Sequence, residues 1–300
     1  MAVSARPGGG AVRRKGVVRP RATADLARLA DEQLFSEVAR GLALIANWIE
    51  DLERWADGLA GADAAGGEVI RLIADEEAAK FLILVDAIRC PRREQKRLVA
   101  QLRRCHDHLA KGIYGEICSY SVGTYEELLS YVERLRKSHY LDGPNDADWI
   151  FRNELEARRE QRLYVDYVEN DDGHIWWEPN RYDHLHLWPS STSRVVEVVR
   201  ALVRAGLGLR AGVAVVATEW RSFDPVGASW GQLVERIDAT LGALDERGCL
   251  FGEFGSRDHA LLQDAWTFPL YRADLSRVEV SLDLLRDEQA RWVANADAWD

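Results

Sequence analysis

Residues 68–88 read EVIRLIADEEAAKFLILVDAI, and this stretch decides the fold. It is apolar nearly all round, and a helix of that kind belongs in the middle of a bundle rather than on its surface. One polar island interrupts it: Asp75, Glu76, Glu77 and Lys80. A buried carboxylate is costly unless it is paired or hydrogen-bonded. Glu76 and Lys80 stand four apart and Glu77 and Lys80 three apart, so one lysine can serve both, and the plain reading is a salt-bridged strip facing solvent. A di-metal carboxylate bundle would carry Glu-x-x-His on facing helices. Here the residue after EExx is a lysine, a cation where a metal needs a ligand. Neither a metal nor another cofactor is expected.

The flanking sequence is helical as well. Leu34, Val38, Leu42, Ile45, Ile49, Leu52 and Leu59 recur at helical spacing, and GLAGADAAGG (58–67) then breaks the pattern. After Pro91 a third helix is predicted from about Arg92 to Ile117, with Leu98, Leu102, Cys105, Leu109 and Ile113 as its apolar stripe. TYEE (124–127) is a capping box opening a fourth helix to about Lys137. Asp146 or Asp148 can cap a fifth helix running through Arg159, and RLYVDYV with NDDGH and IWWEP suits a hairpin. Beyond Pro189, SSTSRVVEVVRALVRAG forms a helix stopped by Gly206, a short helix follows around Val213–Trp220, and SWGQ (229–232) caps another. The last fifty residues read as a glycine-punctuated loop, a strand near RVEVSL and a terminal helix containing Trp292. The expected fold is mainly α: an antiparallel bundle with a short hairpin over residues 23–184, then a smaller, mostly helical region over 185–300.

Composition narrows the function. A net charge of −10 argues against a surface that coats nucleic acid throughout, so any phosphate partner needs a local basic patch. Cys90, Cys105, Cys118 and Cys249 form no CxxC pair and read as buried thiols of a cytoplasmic protein. The first 22 residues carry six basic and no acidic side chains around a Pro/Gly-rich middle, which predicts a disordered tail. No run of 18 apolar residues suggests a membrane span.

The basic patch is found at 89–111, where eight basic residues face two acidic ones and the stretch ends in RRCHDHLAK (103–111). On one continuous helix Arg104, His108 and Lys111 share a flank of the apolar stripe, with His108 nearest the core edge. Two neighbouring cations would hold such an imidazole neutral, able to accept a proton while the cations grip a phosphate. Basic helices are also often merely solvated, and that reading stays open. His184 and His186, with His174 near in sequence, would share a face in an extended segment but lack a third metal ligand.

Three segments in succession resemble one family. ADEEAAKFLIL (74–84) is similar to the EExxK helix of AbiV-type abortive-infection proteins of the HEPN superfamily. HDHLAK (106–111) looks like their histidine, two residues, lysine element, and RREQRLYVDYVENDDG (158–173) like the arginine-rich segment that closes their domain. Ala79 stands where the family usually has glycine. The resemblance implies a HEPN-like bundle acting in phage defence through RNA cleavage or translation arrest, a homodimer, a phage protein as trigger, and RNA as a target. HEPN relatives often cut RNA without metal through an arginine followed four to six residues later by histidine. Arg103 and His108 fit that spacing. The implied catalytic set is His108, Arg103, Arg104 and Lys111, supported by Glu76, Glu77 and Lys80, with Lys96, Arg97 and Arg162 contacting substrate. The alternative is a non-catalytic helical dimer that captures a phage or host protein.

Overall fold

In the computed structural model, which describes residues 21–59, 63–141, 150–170, 173–179 and 192–296, helix α2 (Ala64–Arg89) runs through the middle of the molecule. Every residue from Phe81 to Cys90 is buried, and each large apolar side chain there contributes about 1.5–3 kcal/mol by leaving water. Helix α1 (Asp31–Leu59) lies antiparallel to it. Leu34, Val38, Leu42, Ile49 and Leu52 point inward, and Asp57 near the end of α1 pairs with Arg71 near the start of α2 at 2.6 Å. The break between them is shorter than GLAGADAAGG suggests. Asp63 caps α2 by accepting the Gly66 N–H at 3.0 Å, so both glycines of the pair fall inside its first turn.

The predicted third helix is two helices. Helix α3 (Gln95–Arg103) tightens into a 3-10 turn at Arg104–His106, and Asp107 leaves the helix at φ −102°, ψ 117°. The Asp107 carboxylate then accepts the Ala110 N–H at 3.1 Å and starts α4 (His108–Ser119). An aspartate satisfies an orphan amide better at a cap than inside a helix, and here that preference wins over the apolar periodicity.

Helix α5 (Tyr125–Leu135) begins where TYEE predicts. The Thr124 hydroxyl accepts the Glu127 N–H at 3.1 Å, but Glu127 reaches back to the Gly123 amide rather than to that of Thr124. Strands β1 (His139–Tyr140) and β2 (Phe151–Arg152) pair antiparallel, and α6 (Glu154–Leu163) follows. Its cap is Asn153, not an aspartate; Asp146 and Asp148 lie outside the described residues. Strands β3 (Asp166–Asn170) and β4 (Gly173–Trp177) form the expected hairpin, with Tyr167 opposite Trp176, although Arg162 and Leu163 belong to α6.

Downstream, α7 (Arg194–Arg204) ends with Gly206 at φ +91° and the Leu207 N–H on the Leu202 carbonyl at 3.0 Å, the left-handed stop anticipated there. Helices α8 (Arg210–Trp220) and α9 (Trp230–Glu246) follow, and both halves of the Ser229/Gln232 capping box form. The supposed loop contains α10 (Ser256–Ala265), and α11 (Leu282–Ala296) closes the described chain. RVEVSL is not a strand; Val278 makes one isolated bridge to Lys137. The soft boundary near residue 185 and the first 20 residues lie outside the described residues. On either side of that boundary one apolar core continues, because α7 and α8 pack directly on α1 and α2.

A buried polar network on α2 went unread in the sequence. Asp86 accepts from Tyr114 at 2.7 Å and from the Leu270 amide at 2.6 Å, and pairs with Arg89 at 3.1 Å. The Arg89 guanidinium lies 3.5 Å from the Trp220 ring centre and donates to the Trp266 and Thr267 carbonyls. All four cysteines are free and buried, as expected. Among the described residues no helix is long and apolar enough to cross a membrane.

Candidate functional site

Successive residues of a helix point about 100° apart, so the three acidic side chains of α2 face three different neighbours. Asp75 meets the Ser193 hydroxyl at the start of α7. Glu77 pairs with Lys80 on its own helix. Glu76 faces α4 and α6, and only this one reaches the histidine of α4.

Glu76 is shared by three donors. Its Oε1 lies 2.8 Å from His108 Nδ1 and 2.8 Å from Arg159 Nε, and its Oε2 lies 2.5 Å from Lys111 Nζ. Burial works to raise the Glu76 pKa, but the Lys111 and Arg159 hydrogen bonds outweigh it and hold the carboxyl at about 2. Glu76 is therefore ionised at neutral pH. A carboxylate can only accept, so His108 must donate through Nδ1, which fixes the tautomer of the neutral ring with its lone pair on Nε2. That second nitrogen makes no hydrogen bond among the described residues.

The break at Asp107 reverses the expected exposures. His108 is half exposed, while Lys111 is 7% exposed and points inward. The imidazole is not flanked by two cations on its own helix; its nearest charged neighbour is the Glu76 carboxylate. Arg104 is corrected most clearly. Its guanidinium donates to Gln101 Oε1 at 2.6 Å, to the Leu270 carbonyl at 2.9 Å and to the Ala273 carbonyl, so it ties α3 to a distant segment and does not face His108. Arg103 is exposed at the end of α3 and does not line the cavity described next.

A cavity of about 220 Å3 opens beside this cluster between α2, α4, α6 and the start of α7. Its walls carry His108, Lys111, Arg158, Arg159, Arg162 and Arg194 against Asp75, Glu76 and Glu116. Arg158 is engaged by Glu154 and Glu116, and Arg194 by Asp264. Arg162 has no close ion pair or hydrogen bond among the described residues, and its charge acts on Asp75 from a distance. Burial pushes the Asp75 carboxyl up to about 6, against the stabilising Ser193 hydrogen bond. This leaves a second titratable group in the same cavity.

Of the residues singled out in the sequence, the structure brings together Glu76, His108, Lys111 and Arg162. Glu77 and Lys80 form a separate pair, and Lys96 and Arg97 line a different groove. Arg158 and Arg159 lie within the 158–173 segment but carry no site role in the sequence reading, and Asp75 enters it only as part of the polar island. The arginine spacing in 158–162, three and four apart, was the signal that could have found them. Among the described residues no three or more His, Cys, Asp or Glu are grouped to hold a metal ion. His184 and His186 lie outside the described residues, and His174 stacks on Tyr167. Comparison of the chain with protein-family models, curated proteins and solved structures gave no match.

Proposed function

We propose that the chain is a phage-defence effector that cleaves RNA at the His108 cavity without a metal. The observation that carries this reading is the His108–Glu76 dyad: a half-exposed imidazole oriented by an ionised carboxylate, its Nε2 unengaged among the described residues at a cavity edged with arginines. In the proposed reaction Nε2 takes the proton of a ribose 2′-hydroxyl. The 2′ oxygen attacks the adjacent phosphorus and the bond to the 5′ oxygen breaks, giving a cyclic phosphate and a 5′-hydroxyl. Arg159 and Arg162 offset the charge that grows on the phosphorane. Asp75, held protonated at mildly acidic pH by its burial, is placed in the cavity to return a proton to the leaving oxygen. A phage protein as trigger and a homodimer belong to this reading through the resemblance alone.

The test is cleavage of a single-stranded RNA in EDTA by the wild type and by His108→Ala, with melting temperatures measured alongside. Cleavage at equal rates by two equally stable proteins removes His108 from the chemistry.

One observation favours a second, non-catalytic reading: Lys111 is almost fully buried and its charge is consumed by Glu76, as in a structural network. A helical dimer capturing a protein partner would need no more than that. Loss of phage protection in His108→Ala at unchanged stability and unchanged partner capture counts against it.

A further inference from the structure

The turn at Arg104–Asp107 separates two groups of polar residues within 89–111, while Arg89 is held in the core and Arg92 is held by the Leu29 carbonyl and Asp31. His108 and Lys111 face the cavity already described. Arg93, Lys96, Arg97 and Arg104 instead line an open groove of about 690 Å3 between α3 and the segment Tyr271–Asp274. With Arg272 on the opposite wall, five cations meet two carboxylates, Glu94 and Asp274, on a chain whose net charge is −10.

These cations are not equivalent. Arg104 is consumed by backbone carbonyls, Arg97 leans on Glu94, and Arg272 is shared between Glu94 and Asp224 beyond the groove. Arg93 and Lys96 are exposed and have no ion pair among the described residues. A buried Nε of Arg272 has no hydrogen-bond partner either. The groove therefore holds positive charge in excess of what its own carboxylates neutralise. Lys96 to Arg104 spans roughly 12 Å at the helical rise, with spacings of one, three and four that keep Lys96, Arg97, Ala100 and Arg104 along one side.

We propose that this groove binds the phosphodiester backbone of single-stranded RNA, apart from the cavity where cleavage is proposed. The inference rests on the RNA reading above for the identity of the polymer. The lining favours nucleic acid over an acidic peptide. Peptides gain affinity by burying aromatic or aliphatic anchors, and the apolar part of this groove is Ala100, Ala273 and a Tyr271 that is 2% exposed. A ligand here is held by charge, read along its backbone and without base preference.

The experiment measures fluorescence anisotropy of a 2′-O-methyl RNA 12-mer, which cannot be cleaved through a 2′-hydroxyl, over a salt series. The full chain is compared with His108→Ala and with Arg93→Glu/Lys96→Glu. Both altered groove residues are exposed, so the melting temperature should hold. The wild type and His108→Ala should bind alike. The groove variant should bind at least tenfold more weakly, and its log Kd against log salt should flatten by about 1.4 for two lost phosphate contacts on a single strand. Wild-type affinity in the groove variant overturns the proposal, as does competition by poly-glutamate or by a mononucleotide at concentrations equal to those of unlabelled RNA. A groove variant that loses binding while His108→Ala still cuts RNA sinks the cleavage reading and leaves this one standing. The reverse result sinks this one alone.

Discussion

Glu76 Oε1 bridges His108 Nδ1 and Arg159 Nε at 2.8 Å each, so a single carboxylate on the central helix sets the orientation of groups on two others. Its remaining oxygen neutralises Lys111 in the interior. Glu76→Gln keeps the shape and removes the charge. It should destabilise the protein by about 3–5 kcal/mol, because Lys111 is left buried without a counter-charge. Glu76→Gln/Lys111→Met should recover a large part of that loss, since an apolar replacement of the pair strands no charge. Urea unfolding of the wild type, both single variants and the double variant checks both statements; additive losses would mean that the pair does not act as a unit.

Acid should unfold the protein partly through the same residue. The Glu76 carboxyl has a folded-state pKa of about 2 against an ordinary value of 4.5. The folded form thus binds fewer protons between those values. The stabilisation, about 3 kcal/mol, is complete above pH 4.5 and disappears as pH falls toward 2. The difference in unfolding free energy between wild type and Glu76→Gln should shrink across that window.

Asp75 runs the other way. Burial raises it from 3.8 to about 6, so the folded form binds more protons than the unfolded chain between those values. Its contribution to stability declines as pH rises from about 4 to 6 and stays low beyond. Asp75→Asn, which can still accept the Ser193 hydroxyl, should be more stable than wild type at pH 7.5 and lose that advantage at pH 4. If Asp75 is also the proton donor in RNA cleavage, the alkaline limb of the rate profile should vanish in this variant.

Gly206 is required by geometry. It sits at φ +91°, and a Cβ there would lie 2.5 Å from the Cys249 carbonyl oxygen, a backbone atom that cannot swing away. Gly206→Ala should cost more than the roughly 1 kcal/mol of left-handed strain alone. Thermal unfolding of this variant against Gly242→Ala, a helical site with open space around it, isolates the effect.

The parts legible in the sequence were those governed by local chemistry. The apolar run of α2, the Thr124 and Ser229 caps and the Gly206 stop all follow from neighbours a few residues away. What failed needed a choice between two local rules. In 92–117 the apolar stripe argued for one helix and Asp107 for two, and the cap prevailed. That one turn moved Arg104 out of the candidate site and exchanged the burial of His108 and Lys111. Long-range pairings were out of reach. Nothing near Asp86 announces that its carboxylate will meet the Leu270 amide, or that Arg89 will stack on Trp220. Glu76 stood out as part of the polar island, and a resemblance paired its helix with HDHLAK. Its bond to Arg159, 83 residues away, was not legible.

The Arg104 tether joins the residue four positions before the imidazole to carbonyls more than 160 residues later. Asp86 grips the same segment through the Leu270 N–H, and Arg89 reaches the carbonyls just ahead of it. A chain cut short before Trp266 would strip the backbone partners from Arg89, Arg104 and Asp86. The final third therefore acts as a keystone for the first two, and expressing residues 21–190 by themselves should yield a loosened, insoluble fragment rather than a folded core.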